Sequence, residues 1–175
     1  MKEQSDIPTV SRRIVIMGNG GSGKTWLAQR LARPLGLPLF HLDDVHWEPG
    51  RYGIARDRAA VHEDIRMIAA GEAWLMEGVY GLYVNIALPR TTTLIWLDVS
   101  EEECVANILH RGIQGGESQQ SFEELVKWVS EYRARKNNWN AFDGHLKLYE
   151  GFAGPKVRLH SREQILGYAE SFLKA

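Results

Sequence analysis

Short apolar runs alternate along this chain with longer stretches in which apolar residues recur every three or four positions. Arg13-Ile14-Val15-Ile16-Met17 is the first run, and its unbroken apolar core reads as a strand buried on both faces. It leads straight into a glycine-rich loop. From Lys24 the spacing of Trp26, Leu27 and Leu31 is helical, and Pro34 with Gly36 marks its stop. Leu37 to Leu42 reads as a second strand, with Asp43-Asp44 at its C-terminal end. A polar loop through Trp47-Glu48-Pro49-Gly50 leads to a helix near Asp57 to Ala70, where Val61, Ile65 and Ile68 share a face and Gly71 ends it. Trp74-Leu75-Met76 is a third strand punctuated by Glu77-Gly78, and Thr93 to Leu97 a fourth ending at Asp98.

Ser100 with Glu103 forms a capping box for a helix carrying Val105, Ile108 and Leu109 and ending near Arg111-Gly112. The polar stretch Gly115 to Gln120 is the lid candidate. Ser121 with Glu124 repeats the capping-box pattern, predicting a helix with Leu125, Val126, Val129 and Tyr132 whose far end is the basic segment Arg133-Ala134-Arg135-Lys136. Lys156 to His160 is a fifth strand, and Ser161 caps a final helix using Ile165, Leu166, Ala169, Phe172 and Leu173. Strands alternating with helices predict an α/β fold with a five-stranded parallel sheet between two helical layers, a three-layer sandwich. Such sheets bind ligands beyond the carboxyl ends of their strands.

At 175 residues the chain is long enough to bury a core without staples, so residues 1–175 are expected to form one domain. The polar start Lys2-Glu3-Gln4-Ser5-Asp6 reads as a loose tail rather than a signal peptide, and no apolar run approaches bilayer length. No membrane partner is expected, and a cytoplasmic location is the default. A single cysteine, Cys104, excludes an internal disulfide framework and a cysteine metal cluster. A net charge of -1 gives no general drive toward nucleic acid, which is not favoured as a partner. A monomer or homodimer is expected.

The glycine loop changes this picture most. Gly18-Asn19-Gly20-Gly21-Ser22-Gly23-Lys24-Thr25 satisfies the pattern G-x-x-x-x-G-K-[ST] between a buried-type strand and an apolar-periodic helix, the context that pattern needs. Its glycines let backbone amides converge on an anion, and the following helix adds the positive end of its dipole. Lys24 is expected at the β- and γ-phosphates and the Thr25 hydroxyl at Mg²⁺. Asp43, at the end of the second strand, is the candidate to align an acceptor hydroxyl or take its proton; local capping is the plainer use of Asp43-Asp44.

These residues, with His41-Leu42-Asp43, Trp47-Glu48-Pro49-Gly50, Trp74 to Tyr80 and Leu94 to Asp98, resemble the bacterial family of DNA topology modulation proteins, a branch similar to adenylate-kinase-like P-loop kinases. The resemblance covers most of the chain and departs from the family's pattern at Val79. It implies strand order 2-3-1-4-5, γ-phosphoryl transfer from ATP under a closing lid, and a Mg²⁺ carboxylate at Glu77, reached through water.

On this reading residues 44–70 form an acceptor-side loop and helix and 111–136 a lid. Arg111, Arg133 and Arg135 flank the polar stretch as lid arginines would, with catalytic roles beside Lys24 and Asp43; helix-end cations are the alternative. Trp47, Tyr52 and Tyr80 are candidates to stack on an acceptor ring, or simply pack. The histidines and Asp98 receive no catalytic role. The leading expectation is an ATP- and Mg²⁺-dependent small-molecule kinase acting on a nucleoside, nucleotide or similar acceptor. The alternative is a nucleotide-dependent regulatory or DNA-associated protein; a stand-alone ATPase ranks lower, and no Asn-Lys-x-Asp pattern supports a GTPase switch.

Overall fold

The computed structural model describes residues 12–174, and the polar start Lys2 to Asp6 read as a loose tail lies outside the described residues. In chain order the elements are β1 (Arg13–Gly18), α1 (Lys24–Leu35), β2 (Leu39–His41), α2 (Leu42–His46), β3 (Trp47–Glu48), β4 (Arg51–Ala55), α3 (Arg58–Ala70), β5 (Trp74–Gly78), α4 (Gly81–Ala87), β6 (Thr93–Leu97), α5 (Glu101–Arg111), α6 (Gln119–Ser130), α7 (Phe142–Gly151), β7 (Lys156–Leu159) and α8 (Arg162–Lys174).

Five of the strands form one parallel sheet in the order β2-β5-β1-β6-β7. With the hairpin strands β3 and β4 set aside, that is the expected 2-3-1-4-5. Successive residues of a strand face opposite sides, so a central strand between two helical layers needs apolar residues at every position. β1 meets this demand: Ile14 and Ile16 pack with α1, α5, α6 and α8, while Val15 and Met17 pack with α3, α4 and α7. The register aligns His41, Glu77 and the end of β1 along one edge. The sheet thereby delivers the glycine loop and two polar side chains to the same rim.

Caps set several helix starts. The Asp57 side chain accepts from the Ala60 amide, Ser100 from Glu103 and Ser161 from Gln164. The start of α6 differs from expectation: Ser118, not Ser121, is its N-cap, its Oγ accepting from the Ser121 amide at 3.0 Å. The earlier start lets the helix bury Phe122 as well as Val129. α6 also stops sooner, at Ser130, so Tyr132 and the basic segment lie in the turn that follows rather than on the helix. Asp43-Asp44 sits in the short helix α2, and of the loop expected through Trp47 to Gly50, Trp47–Glu48 form strand β3 and Pro49-Gly50 the turn of the β3–β4 hairpin.

Besides the short α2, two helices, α4 and α7, had no counterpart in the sequence pattern. Each contains a glycine that a neighbouring backbone requires: a Cβ on Gly81 would lie 2.0 Å from the Trp139 carbonyl oxygen, and one on Gly144 2.4 Å from that of Asn138. A fully buried relay crosses this region. The Trp96 indole donates to Tyr132 Oη (3.1 Å), Tyr132 Oη donates to His145 Nδ1 (2.7 Å), and His145 Nε2 donates to the Val79 carbonyl (2.8 Å). Every donor has an acceptor in that direction, so the imidazole sits neutral with its proton on Nε2.

Burial pushes the His145 pKa down to about 4, from 6.5 in an ordinary environment. The unfolded chain therefore takes up the proton first as pH falls. Stability from this group is full above about 6.5 and is lost toward pH 4, a loss on the order of 3 kcal/mol. Denaturant titrations across that window should show the decline, and His145→Gln, which cannot titrate, should flatten it. An unchanged profile in the variant would remove His145 as its cause.

Candidate active site at the carboxyl edge of the sheet

The loop between β1 and α1 is held from behind. Asn19 Oδ1 accepts from the Gly20 amide (2.8 Å), while its Nδ2 donates to the Val129 carbonyl (2.9 Å). Asn107 Nδ2 donates to the Gly21 carbonyl at 2.9 Å. Gly21 has φ 73°, and a Cβ there would lie 2.4 Å from the Cys104 carbonyl oxygen, so both conformation and space demand glycine. α5 and α6 thus clamp the loop into a preformed turn. Lys24 begins α1, nearly buried, with Nζ 2.6 Å from the Asn19 carbonyl oxygen. Burial lowers its pKa, and the carboxylates of Glu77 and Asp43 oppose that shift. The ammonium is poised over the turn with negative groups in range.

Thr25 and Glu77 come together. Thr25 Oγ1 donates to Glu77 Oε1 at 3.1 Å, and His41 Nδ1 meets the same oxygen at 2.6 Å. A hydroxyl and a carboxylate beside a phosphate turn are hard oxygen donors of the kind Mg²⁺ prefers. Among the described residues no cluster of three His, Cys, Asp or Glu could hold a metal.

Asp43 faces the cleft from α2 and accepts from Tyr80 Oη at 2.6 Å. Burial, then the Asp43 charge, raise the Tyr80 phenol far above its ordinary range, so Tyr80 stays a neutral donor. Tyr80 stacks on Tyr83 with ring centres 5.2 Å apart, His46 lies 4.6 Å from Tyr80, and Trp47 packs edge-on to His46 at 4.3 Å. Tyr52, at the hairpin, lies 5.2 Å from Trp47. Burial raises its phenol, with Asp43 and Glu117 adding to the shift and Arg111 opposing it. The hairpin therefore faces the 111–118 segment across the cleft mouth.

That cleft encloses about 980 Å³, a volume in the range of small-molecule sites. The turn with Lys24 and Thr25 forms its floor, the Asp43 to Gly53 wall one side, and Arg111, Glu117, Leu125 and Trp128 the other. Of the three arginines expected at a lid, only Arg111 lines it.

Arg133 instead bridges Asp98 (2.5 Å) and Glu101 (2.6 Å), while Arg158 takes the other Asp98 oxygen at 2.7 Å. Asp98 is buried and needs those cations. Arg135 lies over the Trp128 ring at 4.1 Å and donates to the carbonyls of Trp128 and Asn140. The structure does not bring Arg133 or Arg135 to the cleft, because both turned back onto the body of the protein after α6 ended.

Sequence reasoning missed Arg162, which lines the cleft with Ile165 and Leu166. The available signal was its place one residue past the Ser161 cap, at the carboxyl edge of the last strand. It also missed His41 and His145, which a strand end and a buried relay respectively made visible only in three dimensions.

No family model matches the sequence, and no curated protein matches it. The motif resemblance to DNA topology modulation proteins thus gains no support from either comparison. Among solved structures the chain is similar to a gluconokinase from Sinorhizobium meliloti, with 18% identity, coverage of 94% of this chain and 93% of that one, and a TM-score of 0.61. It is similar to a shikimate kinase from Bacteroides thetaiotaomicron at 19% identity, with 93% and 96% coverage and a TM-score of 0.54. A shikimate kinase from Acinetobacter baumannii in complex with shikimate matches at 13% identity, 94% and 92% coverage and a TM-score of 0.56. The chain has the P-loop fold of these small-molecule kinases, with a parallel sheet of order 2-3-1-4-5.

Proposed function

We propose that this protein is a Mg²⁺-dependent kinase that moves the γ-phosphoryl group of ATP to the hydroxyl of a small molecule. The observation that carries the reading is the convergence on one cleft of the Lys24–Thr25 phosphate turn and the Asp43–Tyr80 pair. Phosphoryl transfer asks the protein mainly for positioning and charge stabilisation. The amides of Gly20 to Lys24 and the Lys24 ammonium bind the β- and γ-phosphates. Mg²⁺, held by Thr25 with Glu77 reached through water, would neutralise charge developing on those phosphates. His41 fixes the Glu77 carboxylate through its 2.6 Å contact. Arg111 and, on the same rim, Arg162 are the free-standing cations of the cleft wall.

Asp43 accepts the acceptor's hydroxyl proton, while Tyr80 holds one carboxylate oxygen and leaves the other for the substrate. The acceptors named for the structural neighbours, gluconate and shikimate, are hydroxylated small molecules, which agrees with an alcohol as nucleophile. The DNA-associated alternative has less behind it, because the basic segment is spent internally: Arg133 on Asp98 and Glu101, Arg135 on two carbonyls, Lys136 on the Arg133 carbonyl.

The test is ADP release from Mg²⁺–ATP with a broad panel of hydroxylated acceptors. An acceptor that raises release well above the acceptor-free rate is the expected result. Verified ATP binding with no stimulation by any acceptor would sink the reading.

A further inference from the structure

Charge is distributed unevenly along the cleft. Among the described residues its cationic lining consists of Lys24, Arg111 and Arg162, belonging to the phosphate turn, the end of α5 and the start of α8. The opposite wall, built by α2, the hairpin and the start of α4, presents Asp43, His46, Trp47, Tyr52 and Tyr80. Of the arginines near that wall, Arg56 is engaged with Asp64 at 2.8 Å and with the Val45 carbonyl at 2.9 Å, and neither Arg51 nor Arg58 lines the cleft. An anionic acceptor would have to sit beside Asp43 and Glu77 without a cation of its own, and burying an uncompensated charge is costly.

We propose, resting on the kinase reading above, that the phosphoryl acceptor is an uncharged alcohol carrying a planar ring, a molecule of the nucleoside type. The His46-Trp47-Tyr52-Tyr80 wall packs the ring. Asp43 faces the hydroxyl. Transfer is balanced: the hydroxyl oxygen forms a bond to the γ-phosphorus, the bond from that phosphorus to the β,γ-bridging oxygen breaks, ADP leaves, and the hydroxyl proton passes to Asp43. A carboxylate or phosphate on the acceptor meets Asp43 as a like charge, which is how the site would reject nucleotides and sugar acids.

The experiment compares matched pairs with the full chain: nucleosides against their 5′-monophosphates, and aldoses against aldonates, by ADP release. Binding is followed in parallel by thermal shift with a non-hydrolysable ATP analogue present. The neutral ring compound should exceed its monophosphate in kcat/KM by about tenfold or more. Trp47→Leu and Tyr52→Leu should each weaken nucleoside binding by about tenfold, the scale of lost ring stacking, while affinity for the ATP analogue is kept. Equal or better use of the anionic members overturns the charge assignment, and unchanged nucleoside affinity in both variants overturns the ring assignment. Nucleoside binding without ADP release ends the kinase reading yet supports the pocket's preference. No stabilisation by any nucleoside overturns the proposal itself.

Discussion

Lys24→Met is expected to lower phosphoryl transfer by at least about a hundredfold, the effect of removing one preorganised charge from a developing phosphate. Its ammonium is held over the glycine turn, 2.6 Å from the Asn19 carbonyl, with α5 and α6 fixing the loop beneath it. In the ligand-free chain that carbonyl is a place-holder: an incoming polyphosphate offers stronger, charge-assisted acceptors, so Nζ exchanges one partner for another at little reorganisation cost. Arginine should not substitute, because its planar fork cannot fit where a compact charge on an unbranched stem is packed. The burial that lowers the Lys24 pKa adds a pH signature: activity should fall on the alkaline side earlier than an ordinary lysine would dictate. Single-turnover rates and ATP-analogue thermal shifts for Lys24→Met and Lys24→Arg check this. A rate within tenfold of wild type would remove Lys24 from the chemistry.

The phosphate half of the site was legible in the sequence because its information is local. β1 announces itself by apolar residues at successive positions, the loop by glycines whose backbone must turn, and α1 by apolar spacing, so each neighbour in sequence is also a neighbour in space. The same holds for Ser100 and Ser161, whose cap bonds close within three residues. Where sequence reasoning went astray, the deciding partner was remote. Ser118 and Ser121 both stand three positions before a residue able to complete a cap, and the choice fell to the helix start that also buries Phe122. Gly81 and Gly144 look like helix breakers until Trp139 and Asn138 are seen pressed against them.

The β3–β4 hairpin escaped notice because β4 is exposed throughout and carries no hydrophobic alternation. Arg133 read as a lid cation because its partners, Asp98 and Glu101, lie more than thirty positions earlier. A buried carboxylate pulling an arginine out of a site leaves no trace in the arginine's own neighbourhood. The acceptor half suffers most from this, since its wall is assembled from α2, the hairpin and α4, three elements whose packing is set by tertiary contact.

Asp43→Asn probes that half directly. Asparagine keeps the shape of the side chain, and its carbonyl oxygen can still accept the Tyr80 hydroxyl that Asp43 takes at 2.6 Å, so the aromatic wall should keep its arrangement. What vanishes is a basic oxygen for the acceptor's proton, and loss of a positioned general base lowers rates by about a hundred- to ten-thousandfold. The drop should appear mainly in kcat rather than in the KM for ATP, because Asp43 stands on a side wall of the cleft and not in the phosphate turn. Asp43→Ala would differ: it leaves the Tyr80 phenol without its partner in a buried setting, a cost of about 1–3 kcal/mol, and so mixes stability with chemistry. Comparing the two variants separates the roles. Equal melting temperatures for wild type and Asp43→Asn, together with a kcat loss, assign Asp43 to proton acceptance. A stable Asp43→Asn protein that turns over as fast as wild type would restrict Asp43 to holding Tyr80.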